Sequence, residues 1–392
     1  MASKKFKPSQ ETLSKSRRTA KTWTKTSSAK QLYEKKRHWD EEEDAVPRHA
    51  VSMTPRLKNL QHKERLPTEN VFEGHVIDST GRSFIIERLP EENLRPKNAT
   101  KATDEKLYDC VVSRSVVSDN PASTLVAVGD RVLCRAEPVS GELTLLPGVI
   151  LRVYERRTKL ARESAGGDGM EQVIVSNIDQ VVILMSAADP FYNKRLIDRY
   201  LVAAELGDVA PLLCINKMDL MDEKFVRDDL AVYAEYLDVP TFFVSAKRNK
   251  GLDELKNALA GAVSVFSGPS GAGKSTLVNC LLGYEKQITA EVSEKTQKGL
   301  HTTTFSKIFA LPFSPDGYIL DTPGIREFGV WGLDKENAAF YFHDFDDFRL
   351  ECKFAPCTHI HEPECAVKRA VAKGYIDPER YESYAALLET LP

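Results

Sequence analysis

Hydrophobic and polar positions fall into four regimes along the chain. Up to about residue 65, Lys, Ser and Thr dominate, the acidic run Asp40-Glu41-Glu42-Glu43-Asp44 follows, and no apolar periodicity is sustained. Such a segment cannot bury enough apolar surface to order itself, so a disordered extension over 1–65 is expected. From Val71 to Tyr154 the pattern becomes short β-branched runs broken by turn residues: Gly74–Ile77, Ser83–Ile86, Tyr108–Val112, Arg131–Cys134 and Gly148–Val153. Five strands of this size predict a small β-barrel over 70–160. From Val173 apolar strands alternate with helical stretches. Strands are predicted at Ile178–Met185, Pro211–Ile215, Thr241–Val244, Val263–Ser267, Phe305–Leu311 and Tyr318–Leu320, and helices at Asn193–Leu206, Glu223–Leu237 and Leu252–Ala262. That alternation predicts a mostly parallel six-stranded sheet with helices on both faces over 173–330. Residues 331–392 turn aromatic and Cys/His-bearing, then helical. Phe340-Tyr341-Phe342, Phe345 and Phe348 could stack on RNA bases but are read as the core of this small unit. The fold class is therefore multidomain, a barrel followed by an α/β sheet unit and an α-rich end.

Composition sharpens this in two places. The 392 residues carry a net charge of only −3, yet residues 1–38 hold twelve Lys/Arg against two acids, which leaves −13 on the remainder. Basic extension and acidic body are electrostatically separate, and such an extension is a device for salt-sensitive attraction to phosphate. The longest apolar runs, such as Val181–Met185, are far below the ~20 residues that span a bilayer, so no membrane partner is expected. No apolar stretch follows the basic start, which argues against a secretory signal and for the cytoplasm; the acid-poor Ser/Thr/Lys content is also compatible with organelle targeting. Among seven cysteines, Cys352, Cys357 and Cys365 crowd together with His359. This favours a metal site in a reducing compartment over a disulfide framework.

The chemistry lies mostly in the third regime. Gly268-Pro269-Ser270-Gly271-Ala272-Gly273-Lys274-Ser275 joins the predicted strand Val263–Ser267 to the helical Thr276–Leu282. Glycines let bare backbone amides surround phosphate oxygens, Lys274 reaches the β and γ phosphates, and Ser275 ligates Mg²⁺. Asn216-Lys217-Met218-Asp219 ends another strand. A carboxylate there accepts both the ring N–H and the exocyclic amine of guanine, whereas adenine would leave Asp219 desolvated and unpaired. Ser245-Ala246-Lys247 ends the next strand and would turn amides toward the guanine oxygen. Asp321, in Asp321-Thr322-Pro323-Gly324, is placed to hold the Mg²⁺ water shell, with the Gly324 amide facing the γ-phosphate. Thr302-Thr303-Thr304 offers a further hydroxyl, with Thr303 favoured.

The base-reading elements precede the phosphate loop, and the Mg²⁺ elements come last. In this order the chain resembles the circularly permuted GTPases of the RsgA (YjeQ) type over about residues 70–375. The resemblance rests on 216–219 before 268–276, then Gly299-Leu300-His301-Thr302-Thr303-Thr304, Asp321 to Gly329, and Cys352, Cys357, His359 and Cys365 behind a barrel. It implies an OB-fold, a permuted P-loop GTPase domain and a C-terminal zinc domain, with GTP/GDP, Mg²⁺ and one structural Zn²⁺ as cofactors. It also implies a role in late maturation of the small ribosomal subunit, whose rRNA a monomer would contact. Leu300 departs from the Arg usual in the family, and Ala272 and Thr276 are conservative variations. Three thiolates and one imidazole fill a tetrahedral zinc shell with no open position, while His361, Glu362 and Glu364 are weaker substitutes. Ile325 occupies the place of the water-orienting Gln of many GTPases and cannot hydrogen-bond, so His301 is the candidate for aligning the attacking water. A GTP-dependent RNA- or protein-binding scaffold with incidental hydrolysis is the alternative.

Overall fold

A computed structural model describes residues 70–89, 107–117, 123–139, 143–164, 170–283, 307–321 and 329–391. The expected disordered extension 1–65, and with it His301, the 302–304 threonine run and Gly324, lie outside the described residues.

Strands β1 (Val71–Ser79), β2 (Phe84–Arg88), β3 (Leu107–Val117), β4 (Arg131–Ala136) and β5 (Leu146–Val153) close a barrel in the order β1-β2-β3-β5-β4. All pairs are antiparallel except β3 with β5. Alternation sends Val76, Ile86, Cys110, Val132, Cys134 and Ile150 into the interior, all fully buried. Gly74 keeps β1 and β2 close, because a Cβ there would stand 2.4 Å from the Ile86 side chain.

A hairpin that the hydrophobic pattern does not reveal follows the barrel. Strands β6 (Lys159–Glu163) and β7 (Glu171–Ser176) pair antiparallel, and β7 bridges to Ser123 and Val128 of the barrel unit. Their junction is polar. Asp130, fully buried, accepts from Arg156 (2.8 Å), Ser176 (2.6 Å) and the Ala127 amide (2.7 Å).

The sheet contains β8 (Gln180–Ser186), β9 (Ala210–Asn216), β10 (Thr241–Phe243), β11 (Val263–Ser267), β12 (Lys307–Ala310) and β13 (Tyr318–Asp321), in the order β10-β9-β8-β11-β13-β12. Only β12 runs antiparallel to its neighbour. Every residue of β8 is buried. Its odd positions Val181, Ile183 and Met185 pack in one core with Ile197 and Leu201 of α1 (Lys194–Leu206). Its even positions Val182 and Leu184 pack in the opposite core with α3 (Leu252–Leu259) and α4 (Lys274–Leu282). The predicted helix 223–237 is broken. Helix α2 (Glu223–Asp229), capped by Asp222 on the Phe225 amide, stops, and a wider π turn at Val232–Tyr236 brings Val232 and Tyr233 into the core.

The C-terminal unit is built from short helical turns between Ala338 and Arg349, then α5 (Ala366–Ala372) and α6 (Pro378–Glu389). Asp377 caps α6 and Pro378 starts it, where the missing N–H costs nothing. Phe342 and Phe345 meet Tyr384 edge-on at 5.2 and 4.9 Å, so these aromatics are core, while Phe340 stays half-exposed beneath Arg349.

This unit docks along one face of α1. Lys194 pairs with Glu379, Asp198 with Arg380 (2.6 Å), and Glu205 with His343 (3.0 Å), while Val202 enters the C-terminal core. Positions i, i+4, i+8 and i+11 share a helix face. Arg380 also reaches Asp344 (2.8 Å) and lies over the Phe342 ring; all three charged residues of this cluster are buried.

Candidate nucleotide and zinc sites

The carboxyl ends of β10, β9, β11 and β13, four of five consecutive strands with β8 at their centre, carry the expected nucleotide elements in one row. Asn216 ends β9, Ser245 follows β10, Gly268 follows β11, and Asp321 ends β13. Such an edge is where open α/β sheets bind ligands.

Asn216, 2% exposed, ties the row together. Its Nδ2 donates to the Ala272 carbonyl in the phosphate loop (3.0 Å), and its Oδ1 accepts from the Ala246 amide (3.1 Å). One side chain therefore braces the phosphate loop against the Ser245-Ala246-Lys247 turn. Gly273, at φ +91°, leaves room for this brace, since a Cβ would approach Asn216 Nδ2 to 2.5 Å. Gly268 is equally constrained, with the Leu184 carbonyl 2.0 Å from a Cβ position.

Asp219 is exposed and accepts from the Ser245 hydroxyl (2.5 Å). That hydrogen bond, with the positive charges of Arg248 and Lys247, holds its carboxyl below the usual range, so it is an anionic acceptor at neutral pH. Met218 packs against the core and Lys217, in a left-handed conformation, reaches the Asp189 carbonyl. Pro269 is half-buried, Ala272 is buried, and Ser270, Gly271, Ser275 and Thr276 are exposed around the start of α4. Cys280 of α4 contacts the Ala246 carbonyl at 3.4 Å. Lys274 opens α4, so the loop amides and the positive helix end face the same space.

The second cluster is in the C-terminal unit. One ligand atom each from Cys352, Cys357, His359 and Cys365 lies within 4.8 Å of the others. The Cys352–Cys365 sulfurs are 3.7 Å apart, and His359 Nδ1 is 3.5 and 3.4 Å from them. A tetrahedral zinc shell with Zn–S ≈ 2.3 Å and Zn–N ≈ 2.0 Å would have edges of about 3.8 and 3.5 Å, so the donor set fits Zn²⁺. Burial pushes the Cys357 thiol up to about 12 and raises that of Cys365, while it lowers His359. Metal entry would release thiol protons, and His359 is already in its neutral ligating form. Glu362 braces the loop instead of joining this set. Its carboxylate accepts from the Thr358 amide and hydroxyl (both 2.7 Å) and the Ile360 amide, and despite partial burial these bonds hold it down to about 2. Glu364 pairs with Lys353. Tyr381 and Tyr384 donate to the His359 and Thr358 carbonyls, each at 2.7 Å, and so tie α6 to the metal loop.

The family described as RsgA GTPase matches residues 153–331. The small ribosomal subunit biogenesis GTPase RsgA of Chlorobaculum parvum (strain DSM 263 / NCIMB 8327) is 50% identical over 322 residues, 81% of this chain and 97% of the relative. Its counterpart in Chlorobaculum tepidum is 46% identical over 327 residues, covering 82% and 99%. Among solved structures, YjeQ from Thermotoga maritima is similar at 29% identity over 82% of this chain and 98% of its own, with a TM-score of 0.57. YloQ, described as a circularly permuted GTPase, is similar at 25% identity over 83% and 96%, with a TM-score of 0.55.

Proposed function

Because the chain belongs to the RsgA GTPase family, we propose that it is a GTP hydrolase that binds the small ribosomal subunit, contacts its rRNA, and couples hydrolysis to late subunit maturation and its own release. The observation that carries the reading is the Asn216 brace, which ties the phosphate loop to the Ser245-Ala246-Lys247 turn, whose Ser245 hydroxyl in turn donates to Asp219. In this reading Asp219 takes the guanine N–H donors, and Gly268–Gly273 amides with Lys274 hold the phosphates. Ser275, Asp321 and Thr303 would hold Mg²⁺, which supplies charge neutralisation between the β and γ phosphates. The Gly324 amide would face the γ-phosphate, and His301 would align the water. Ile325 cannot do so, which leaves turnover slow until the subunit brings His301 to bear on the water. Cys352, Cys357, His359 and Cys365 would hold one structural zinc and tie the C-terminal unit together. The barrel and the basic segment 1–38 add contacts to RNA phosphates. The protein acts as a monomer in the cytoplasm; no helix among the described residues is long and apolar enough to cross a membrane.

The test is GTP hydrolysis alone, with small subunits and with large subunits, with zinc quantified on the same preparation. Stimulation by small subunits only and about one zinc per chain are expected. Equal rates in all three conditions would reject coupling of hydrolysis to the small subunit in favour of a GTP-dependent scaffold with incidental hydrolysis.

A further inference from the structure

The segment between β8 and α1 carries no motif, yet it touches the nucleotide elements at three points. The Ala187 amide donates to the Asn216 carbonyl (2.8 Å). The Asp189 carbonyl accepts from the Lys217 ammonium. The Pro190 ring lies 3.1 Å from the position a Cβ would take on Gly271. We propose that this loop, Ser186–Asn193, is a further element of the nucleotide site, and that Tyr192, Asp229, Lys194 and Glu379 are positioning residues that set it through Lys217. The proposal rests on the guanine-site reading above and adds residues to it.

The mechanics follow from where Lys217 lies. Its Cε is 4.0 Å from the Cβ position of Gly273, so its stem runs beside the phosphate loop, and its head is held by Asp189. Moving the 186–193 loop moves that stem. What fixes the loop is not local to the pocket. Ser186 hydrogen-bonds the Pro190 carbonyl across the turn, and Tyr192, 5% exposed, donates its hydroxyl to Asp229 Oδ2 (2.6 Å). Lys194 holds the other oxygen of Asp229 (2.9 Å) and reaches across to Glu379 in the first turn of α6. Burial opposes the charge on Lys194, and its hydrogen bonds to Glu379 and Asp229 outweigh that, so it stays cationic. Two runs of contacts, Lys217 to Asp189 and Tyr192 through Asp229 and Lys194 to Glu379, are thus placed in series by the short backbone between Asp189 and Tyr192. Helix α6 also grips the zinc loop through Tyr381 and Tyr384. Linkage is reciprocal: if α6 helps to set nucleotide affinity, bound nucleotide must firm α6.

The test uses the full chain. Affinity for a fluorescent GDP analogue is measured for wild type, Tyr192→Phe, Glu379→Gln and the double variant, with Asp253→Asn, in a solvent-exposed pair on α3, as control. Each single variant is expected to bind about fivefold more weakly. Contacts in series do not add, so the double variant should be no weaker than the worse single. Amide exchange over 378–389 should slow when wild type binds GDP and should not slow in saturated Tyr192→Phe, a readout that general destabilisation does not move. Tyr192→Phe removes one oxygen and keeps the ring, so it tests the idea even if Glu379→Gln folds poorly. Affinities within twofold of wild type, losses that multiply, or exchange over 378–389 indifferent to nucleotide would each overturn the inference. A wild-type chain that fails to bind GDP would overturn the guanine-site reading as well, which separates the two failures.

Discussion

Replacing Arg380 by Met should cost more than any other single change at the junction between α1 and the C-terminal unit. The guanidinium neutralises two carboxylates at once, Asp198 at 2.6 Å and Asp344 at 2.8 Å, and all three residues are at most 4% exposed. Met fills the volume over Phe342 but leaves two buried anions without a counter-charge. Breaking a buried ion pair in this way costs about 3–5 kcal/mol, which for a cooperative unit of this size lowers Tm by roughly 10 °C. The pH dependence is the sharper test. Burial already raises the Asp198 pKa against the pull of Arg380. Without Arg380 it rises further, so ionised Asp198 destabilises the folded state at neutral pH and less so as protons return. The difference in unfolding free energy between wild type and variant, measured by denaturant titration, should be largest near pH 8 and shrink toward pH 5. Arg380→Met combined with Asp198→Asn and Asp344→Asn should recover most of the loss. A deficit that is flat with pH, or that grows on acidification, would refute the argument.

Other expectations are equally direct. Asp219→Asn should weaken GTP binding by about 10²–10⁴-fold in a titration, because the amide presents its own donor to the guanine N–H groups; an unchanged affinity would refute guanine selectivity at this site. His301→Ala should bind nucleotide like wild type and lose subunit-stimulated turnover by about 10²–10⁴-fold, the range of general-base assistance; unchanged stimulated turnover rejects His301. Cys352→Ser should reduce zinc from about one per chain to almost none in a chelator assay and lower Tm, since binding energy at such sites is folding energy. His343 is partly desolvated, which disfavours its charge, but Asp346 and Glu205 raise its pKa from 6.5 to about 10. Its stabilising charge is fully present below about pH 6.5 and is lost as pH rises toward 10. The stability gap between wild type and His343→Gln should close across that interval.

Much of this architecture was legible in the sequence because it repeats at short range. β8 and β9 contain continuous apolar runs, and the phosphate loop is contiguous and bounded by the strand and helix it needs. What was not legible depends on residues far apart in the chain. Lys159–Glu163 buries only Leu160 and becomes a strand through pairing with β7 and the polar junction at Asp130. Glu223–Leu237 keeps helical periodicity, yet burial of Val232 and Tyr233 in the core coincides with a wider turn. Asp198, Asp344 and Arg380 are unremarkable one at a time and form a cluster only when α1 and α6 meet. Asn216 could be assigned to the site from its motif. That it braces two loops through both ends of its amide could not, because its partners are backbone groups with no sequence signature.

The position of Arg380 also bears on how the protein is made. Synthesis proceeds from the amino end, so Asp198 is laid down in α1 long before its partner, Arg380 of α6, which follows 182 residues later. Until that helix leaves the translating ribosome, the nascent α/β unit carries a carboxylate it cannot bury without penalty. Completion of that unit therefore waits for α6, and a product lacking α6 would keep Asp198 without its counter-charge.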